Sequence, residues 1–132
     1  MTRREIWDRV GPLDEGFFAY FEETDWCVRL KKIGYKVVYI PDAVVFHFEG
    51  QSFGGVPYKK MEIFVVSARR FFLKHYSVGL WELYCGSNVV GSALRIGVLS
   101  VAGIFGGNRR ERIKLTMEHH RAFLRALLKV RR

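Results

Sequence analysis

Four side chains in the first half of the sequence have the types and spacing needed for acid–base and metal chemistry. Glu22, Glu23 and Asp25 fall within the stretch "FFAYFEETDW", and His47 lies 24 positions after Glu23. A carboxylate held beside apolar walls can have a raised pKa and act as a general base. A histidine at the end of a strand can coordinate a metal. Each feature alone is more often structural, because acidic residues at a helix start usually stabilise the helix.

The acidic residues are predicted to lie at the start of a short helix with the sequence "TDWCVRLKKIG". Thr24 suits the N-cap position, and Asp25 suits the positive first turn. Gly34 suits the position just after the helix. Asp25 and Arg29 are four residues apart and can form an ion pair on the helix surface. A purely structural role for this pair therefore remains open.

Two short strands are predicted to follow the helix. Residues 35–40 and 43–48 are rich in β-branched and aromatic side chains, and the second segment contains His47. A glycine-rich loop is predicted over residues 49–57. The first part of the chain is therefore predicted to be α/β.

The second half of the chain reads as helical. Residues 58–76 have apolar side chains at helical spacing, and residues 80–107 are mostly apolar except for Glu82 and Arg95. A membrane span needs about 20 predominantly apolar residues, and several glycines weaken one long helix. We therefore expect surface-lying or hairpin-like helices there. A basic amphipathic helix is predicted over residues 109–132, with an apolar stripe of Leu115, Ala122, Phe123, Ala126, Leu127 and Val130.

Charge is unevenly distributed along the 132 residues, which carry a net charge of +9. The net charge is −2 over residues 1–57, +4 over residues 58–108 and +7 over residues 109–132. These boundaries predict three regions: an α/β head, an apolar helical region associated with a membrane, and a basic amphipathic helix. A basic tail indicates an anionic partner, either a membrane surface or a nucleic acid. Nucleic acid is disfavoured because no zinc-finger spacing or RNA-recognition motif accompanies the tail.

The cysteines and the N-terminus bear on location. The two cysteines show no metal-ligand spacing, and "MTRREIWDRVG" has no apolar core of signal-peptide length. We expect a cytoplasmic protein that is peripheral at the inner face of the cell membrane. From the residues alone, a non-catalytic membrane-surface or partner-binding module remains an alternative to an enzyme.

The run from Val10 to Ser52 resembles the C-terminal part of the catalytic domain of family 2 glycosyltransferases. It is most similar to the rhamnosyltransferase-like members of bacterial cell-surface polysaccharide synthesis. The shared pattern has a Gly-x-Phe-Asp-Glu turn, paired aromatics, an acidic motif, an arginine-bearing helix, a Gly-Tyr strand, and a histidine followed by a serine. Here these are Gly11, Asp14, Glu15, Phe17, Phe18, Glu22, Glu23, Asp25, Arg29, Gly34, Tyr35, Pro41, His47 and Ser52.

The resemblance implies an inverting transfer of sugar from a nucleotide-diphosphate sugar to a saccharide or lipid-linked acceptor, with Mn²⁺ or Mg²⁺. Glu23 would be the general base, although many members have Asp at this position. His47 would bind the metal, and Ser52 would lie in the loop beside the diphosphate. The acceptor pocket would be formed by Tyr20, Glu22, Asp25 and Trp26. A core role for Trp26 remains open.

The resemblance also implies a fold and a missing part. The family's catalytic domain has a GT-A-type, Rossmann-like fold that begins with a nucleotide-binding half. That half carries an Asp-x-Asp metal motif, which does not occur in this sequence. We therefore expect the acceptor-side half of such a domain, followed by C-terminal amphipathic helices. We also expect the chain to need a separate nucleotide-binding half for activity.

Overall fold

Three long helices form the main core of the protein. The computed structural model describes residues 2–46, 57–104 and 110–131. The long helices are α3 (Pro57–His75), α4 (Val78–Ile104) and α5 (Arg110–Arg131). They are preceded by two short helices, α1 (Arg4–Val10) and α2 (Glu22–Lys32).

The core lies where α3, α4 and α5 meet. Its fully buried members are Val65, Ala68, Trp81, Cys85, Ala126 and Leu127. Two of these are alanines, one on α3 and one on α5, and their small side chains let the two helices approach closely. Phe21, at the start of α2, packs against the same core. The packing of this ring connects the acidic segment to the three-helix core.

The C-terminal helices confirm part of the sequence prediction and correct another part. The helices predicted over residues 58–76 and 109–132 are present as α3 and α5. The described part of the predicted region 80–107 is one helix and not a hairpin, because α4 is continuous from Val78 to Ile104. Glycines cost about 1 kcal/mol each in a helix interior. Trp81, Cys85 and Ser92 of α4 are buried against the neighbouring helices, and this packing opposes the cost.

The predicted α/β, Rossmann-like fold is wrong for the part of the chain that the structure describes. No strand is formed within residues 2–46, 57–104 and 110–131. Residues 36–46 are exposed and non-helical, with Tyr39 85% and Phe46 86% exposed. A strand needs a neighbouring strand to satisfy its hydrogen bonds, and β propensity reflects packing on a sheet more than a backbone preference. The β-rich composition of this segment therefore does not produce a sheet.

Helix α2 begins earlier than predicted and ends as predicted. Its first residue is Glu22 and its N-cap is Phe21, so Thr24 is not the N-cap. Gly34 follows the helix with a φ of 89°, a left-handed conformation that glycine adopts without strain. The backbone N–H of Gly34 donates to the carbonyl of Lys31 at 3.1 Å. The glycine therefore terminates the helix in the way that its position predicts.

The apolar stripe predicted on α5 is used mainly for packing within the protein. Ala126 and Leu127 are buried, and Phe123 and Val130 pack against the core. Leu115 is 63% exposed and lies outside this contact. Within the described helices, none contains a stretch that is long and apolar enough to cross a membrane.

Candidate functional site

The backbone just before the acidic motif has an unusual conformation. Tyr20 and Phe21 have φ values of 66° and 69°, in the left-handed region that non-glycine residues rarely adopt. Each such residue costs about 1 kcal/mol or more and persists only when its surroundings hold it. This turn sets the direction in which α2 begins, and therefore the position of Glu22 and Glu23.

Helix α3 holds this turn in place. Ser67 Oγ donates a hydrogen bond to the carbonyl of Ala19 at 2.7 Å. The ring of Phe21 packs against Phe64 and Phe71, with centroid distances of 5.3 and 5.2 Å. The ring of Tyr20 meets Phe64 edge-on at 5.7 Å. The strained turn is therefore supported by a side-chain hydrogen bond and by aromatic packing.

The two glutamates of the motif lie in different environments. Glu23 is exposed, and its carboxylate has no hydrogen bond or ion pair with any residue that the structure describes. Glu22 is partly buried, and its Oε2 atom is buried without a hydrogen-bond partner in the described part of the chain. Buried polar atoms are nearly always paired. The partner of Glu22 Oε2 therefore does not lie among the described residues.

Asp25 is fully buried and is surrounded by basic side chains. Its Oδ1 atom accepts from Lys74 Nζ at 2.6 Å and from His75 Nε2 at 2.7 Å. Its Oδ2 atom accepts from Arg29 Nε at 2.9 Å. Burial acts to raise the pKa of Asp25, but the hydrogen bonds from Lys74, His75 and Arg29 outweigh it, so the pKa is below its ordinary value. Asp25 is therefore a buried anion that joins α2 to the end of α3.

The orientation of the His75 ring follows from its two neighbours. Lys32 Nζ lies 3.3 Å from His75 Nδ1. An ammonium group can only donate, so Nδ1 accepts and Nε2 carries the hydrogen that is donated to Asp25. His75 is almost completely buried, with 3% of its side chain exposed. The ring thus links the C-terminal end of α2 to Asp25 near its start.

Lys74 bridges Asp25 to a second carboxylate, Asp14. Lys74 Nζ donates to Asp14 Oδ2 at 2.6 Å, and Arg70 Nη2 donates to Asp14 Oδ1 at 3.0 Å. The hydrogen bond from Lys74, followed by that from the Gly16 backbone, holds the pKa of Asp14 far below its ordinary value. Burial acts to lower the pKa of Lys74, but hydrogen bonds to Asp14 and Asp25 raise it above its ordinary value. The Lys74 ammonium group therefore holds two carboxylates against α3, that of Asp14 in a loop and that of Asp25 in α2.

Arg29 extends the same network to the turn after α1. Its Nη1 atom donates to the carbonyl of Val10 at 2.7 Å, and its Nη2 atom donates to the carbonyl of Pro12 at 2.6 Å. Trp26 Nε1 donates to the carbonyl of Gly11 at 2.9 Å, and its ring stacks on Trp7 at 5.5 Å. These bonds fix the turn over residues 10–12 on the face of α2.

The predicted site residues therefore divide into two groups. Asp25 and Trp26 are used within the protein, which matches the structural roles that the sequence left open for them. Glu23 is exposed and Glu22 is partly buried, and the functional roles of both stay predictions. Tyr20 is partly exposed beside them. His47 and Ser52 lie outside the described residues.

The predicted metal site is likewise not tested by the described structure. Among the described residues, no group of three or more His, Cys, Asp or Glu side chains is arranged to hold a metal. The predicted ligand His47 is not among them. A role for Mn²⁺ or Mg²⁺ stays a prediction.

Two residues central to the network, Lys74 and His75, are missing from the sequence prediction. They lie 49 and 50 positions after Asp25, so no local spacing connects them. One indication was present in the sequence. His75 falls three residues after Phe72 and seven after Ala68, so it continues the apolar stripe of α3 with a polar side chain. A polar residue on a buried helix face needs a partner, and Asp25 supplies it.

Comparison with known proteins relates the chain to sugar-transferring enzymes. It is 31% identical over 120 residues to an N-acetylglucosaminyl-diphospho-decaprenol L-rhamnosyltransferase found in two strains of Mycobacterium tuberculosis, covering 91% of this chain and 39% of the relative. It is 35% identical over 52 residues to a dTDP-rhamnosyl transferase from Shigella flexneri, covering 39% of this chain and 18% of the relative. The chain is similar to glycosyltransferases.

The similarity covers most of this chain but only part of each relative. The chain spans about two fifths of the length of the Mycobacterium relatives, with 39% covered. No protein-family model matches the sequence. No solved structure matches it either. The relatives therefore support a glycosyltransferase family.

Proposed function

We propose that the chain is the acceptor-side part of an inverting glycosyltransferase. In this proposal a sugar is transferred from a nucleotide-diphosphate sugar to a saccharide or lipid-linked acceptor in cell-surface polysaccharide synthesis. Two observations support it: the similarity to rhamnosyltransferases, one of which is named for a diphospho-decaprenol acceptor, and the arrangement of the acidic motif. A separate nucleotide-binding half, predicted from the sequence, would supply the donor site.

The observation that carries the proposal is the contrast between Asp25 and Glu23. Asp25 is 0% exposed, and its carboxylate is bound by three basic side chains, those of Arg29, Lys74 and His75. Glu23 lies two residues earlier, exposed and unpaired within the described structure, on a helix start that α3 fixes. A general base needs an available carboxylate in a fixed position. Of the two residues, Glu23 meets that requirement.

The proposed chemistry is a single displacement at the anomeric carbon. The acceptor hydroxyl oxygen forms a bond to that carbon while the bond to the nucleoside diphosphate breaks on the opposite side. Glu23 takes the proton of the hydroxyl, and the nucleoside diphosphate leaves with the bonding electrons. A positioned base contributes about 10²–10⁴-fold to such a step. Glu22 would line the acceptor pocket. A bound Mn²⁺ or Mg²⁺ would stabilise the charge of the diphosphate.

The test replaces Glu23 with glutamine in a full-length enzyme that contains this segment. We expect Glu23→Gln to lower kcat by about 100-fold or more while donor KM changes little, because the lost group acts on the proton in the transition state. Transfer of radiolabelled rhamnose from dTDP-rhamnose to a prenyl diphosphate-linked N-acetylglucosamine provides the assay. Glu111→Gln, at an exposed position on α5, is the matched control. A kcat for Glu23→Gln equal to that of the control would contradict the assignment.

A non-catalytic membrane-surface module remains the second candidate. It is favoured by the +7 net charge of residues 109–132. Much of the apolar stripe of α5 is occupied in the core, but Leu115 and Leu128 are 63% and 62% exposed. Co-sedimentation with vesicles containing anionic lipid should then fall as salt is raised. Absence of binding to anionic vesicles at low salt would exclude this candidate.

A further inference from the structure

A cleft between α3, α4 and α5 has the composition of a binding site. Its volume is about 540 Å³. One wall carries hydrogen-bond donors and basic side chains, including Ser92 and Arg95 of α4 and His119 and His120 of α5. The cleft is also lined by aromatic and apolar side chains, those of Met61, Phe64, Tyr84 and Phe123. Ligand sites commonly combine an apolar lining with a few convergent polar groups.

The helical spacing of α4 assembles the polar wall. Asn88, Ser92 and Arg95 are separated by four and three residues, so they share one face of the helix. Gly91 lies within the same face and lines the cleft. A Cβ atom added at Gly91 would meet no atom within 4 Å. The cleft is therefore open at the level of this glycine.

The basic groups of the cleft lack a compensating carboxylate. The described residues that line it include no Asp or Glu. Arg95 interrupts an otherwise apolar stretch of α4. It forms no ion pair with any residue that the structure describes. Burial, together with the charges of Arg95 and His119, lowers the pKa of His120. The positive charge of Arg95, which has no carboxylate beside it among the lining residues, favours an anion with several oxygen atoms. Ser92 Oγ, on the same face of α4, lies 3.3 Å from His120 Nδ1.

An apolar groove continues from the basic end of the cleft. Its volume is about 420 Å³, and it shares Arg95 and His120 with the cleft. The groove is also lined by Leu94, Val98 and Leu99. Leu94 and Val98 are 65% and 69% exposed. A ligand with an anionic head at Arg95 and an apolar chain along these residues would cover them.

We propose that this cleft and groove bind a diphosphate group carried on an apolar chain. Arg95, His119 and Ser92 contact the diphosphate, and the chain lies along Leu94 and Val98. This inference rests on the proposed function, because a lipid-linked acceptor carries a diphosphate on an apolar chain. The diphosphate of a nucleotide is the other source of the same head group, and the experiment below separates the two.

The cleft lies next to the proposed catalytic segment through a shared aromatic wall. Phe64 lines the cleft and also packs against Tyr20 and Phe21, at 5.7 and 5.3 Å between ring centroids. These two residues directly precede Glu22 and Glu23. The cleft and the turn before the acidic motif therefore share one side chain, Phe64.

Calorimetric titration of the 132-residue chain with farnesyl diphosphate, below its micelle concentration, tests the proposal. Farnesol lacks the anion, inorganic pyrophosphate lacks the chain, and dTDP carries the nucleotide instead. We expect farnesyl diphosphate to bind about 10-fold or more tightly than each of the three, because only it satisfies both the basic wall and the groove. Equal or tighter binding of dTDP would overturn the lipid assignment, and no binding of farnesyl diphosphate would overturn the proposal.

Two variants locate the binding in this cleft. Arg95→Gln removes the basic group, and Gly91→Leu extends a side chain into the cleft from a position where an added Cβ meets no atom within 4 Å. Each should weaken farnesyl diphosphate binding by about 10-fold. The matched controls are Arg125→Gln, at an exposed position on α5, and Gly86→Leu, at an exposed glycine of α4 with no atom within 4 Å of its added Cβ. Affinities unchanged in Arg95→Gln and Gly91→Leu would place the ligand elsewhere and refute the proposal.

The binding assay is independent of sugar transfer. The variant Glu23→Gln should bind farnesyl diphosphate as the unaltered chain does, because Glu23 does not line the cleft. If the full-length enzyme transferred sugar although farnesyl diphosphate did not bind in the cleft, the proposed ligand of the cleft would be refuted and the proposed function would stand. Retained binding with unimpaired transfer in Glu23→Gln would refute the assignment of the base alone.

Discussion

Replacing Asp25 with asparagine should destabilise the protein strongly, because the change removes a buried charge and leaves its basic partners in place. Asparagine has nearly the same shape, so the effect comes from charge and hydrogen bonding rather than from a cavity. Asp25 is 0% exposed, and the side chains of Arg29, Lys74 and His75 are 24%, 33% and 3% exposed. Removing one partner of a buried ion pair typically costs about 3–5 kcal/mol.

The structure places the expected cost at the lower end of that range. Lys74 retains its bond to Asp14, and Arg29 retains the carbonyls of Val10 and Pro12. Both basic groups also keep some contact with water. His75 has no such alternative, since its other ring nitrogen faces Lys32. We therefore expect the free energy of unfolding to fall by about 3 kcal/mol.

Urea denaturation followed by circular dichroism at neutral pH measures this change. The midpoint should move to lower urea while the slope m is unchanged, since the surface exposed on unfolding is similar. Asp42→Asn, at an exposed position with no described contact, is the matched control and should change stability by less than about 0.5 kcal/mol. An Asp25→Asn variant as stable as the Asp42→Asn control would refute the description of Asp25 as the centre of the network.

Two further predictions concern pH and glycine. The pKa values of Asp14 and Asp25 are lowered in the folded protein, so their contribution to stability is complete above the ordinary Asp pKa of about 3.9 and is lost as pH falls through the lowered values. The free energy of unfolding, measured by urea titration, should fall as pH is lowered below about 4, and it should fall less steeply in Asp25→Asn. Equal slopes of unfolding free energy against pH in the two proteins would contradict this. Gly34→Ala should lower stability by about 1 kcal/mol, because φ is 89°, whereas Gly97→Ala in the interior of α4 should raise it by about 0.5–1 kcal/mol. Changes of the same sign in thermal denaturation would contradict the conformational argument.

The helices that the sequence predicts are those whose own residues determine them. The apolar spacing of α3 and α5 needs no knowledge of the partner to indicate a helix, and Gly34 ends α2 through its own backbone freedom. The continuity of α4 depends instead on the burial of Trp81 and Cys85 against other helices. Strands over residues 35–40 and 43–48 would depend on a partner strand, which the described residues do not provide. Local patterns therefore predicted helices well and long-range relations poorly.

The same distinction applies to the candidate site. In the sequence, Glu22, Glu23 and Asp25 are three carboxylates in one short stretch, and nothing local separates the buried one from the others. The basic groups that bury Asp25 come from the end of α3, about 50 positions later. The resemblance to glycosyltransferases predicted Glu23 as the base, and the described structure leaves that residue exposed. The network thus explains why adjacent carboxylates can have different uses.

This difference in use makes the stability and activity of the motif separable. If Asp25 serves to hold the start of α2, Asp25→Asn should lower stability and also reduce kcat by displacing Glu23, whereas Glu23→Gln should reduce kcat with no loss of stability. His75→Gln provides a third comparison, because glutamine can still donate one hydrogen bond to Asp25. The stability and the kcat of His75→Gln should therefore both lie between those of the unaltered protein and those of Asp25→Asn. If kcat in Asp25→Asn and His75→Gln did not follow the stability of these two variants, Asp25 would have a role in the reaction beyond holding the helix, and the assignment of Glu23 as the sole base would have to be given up.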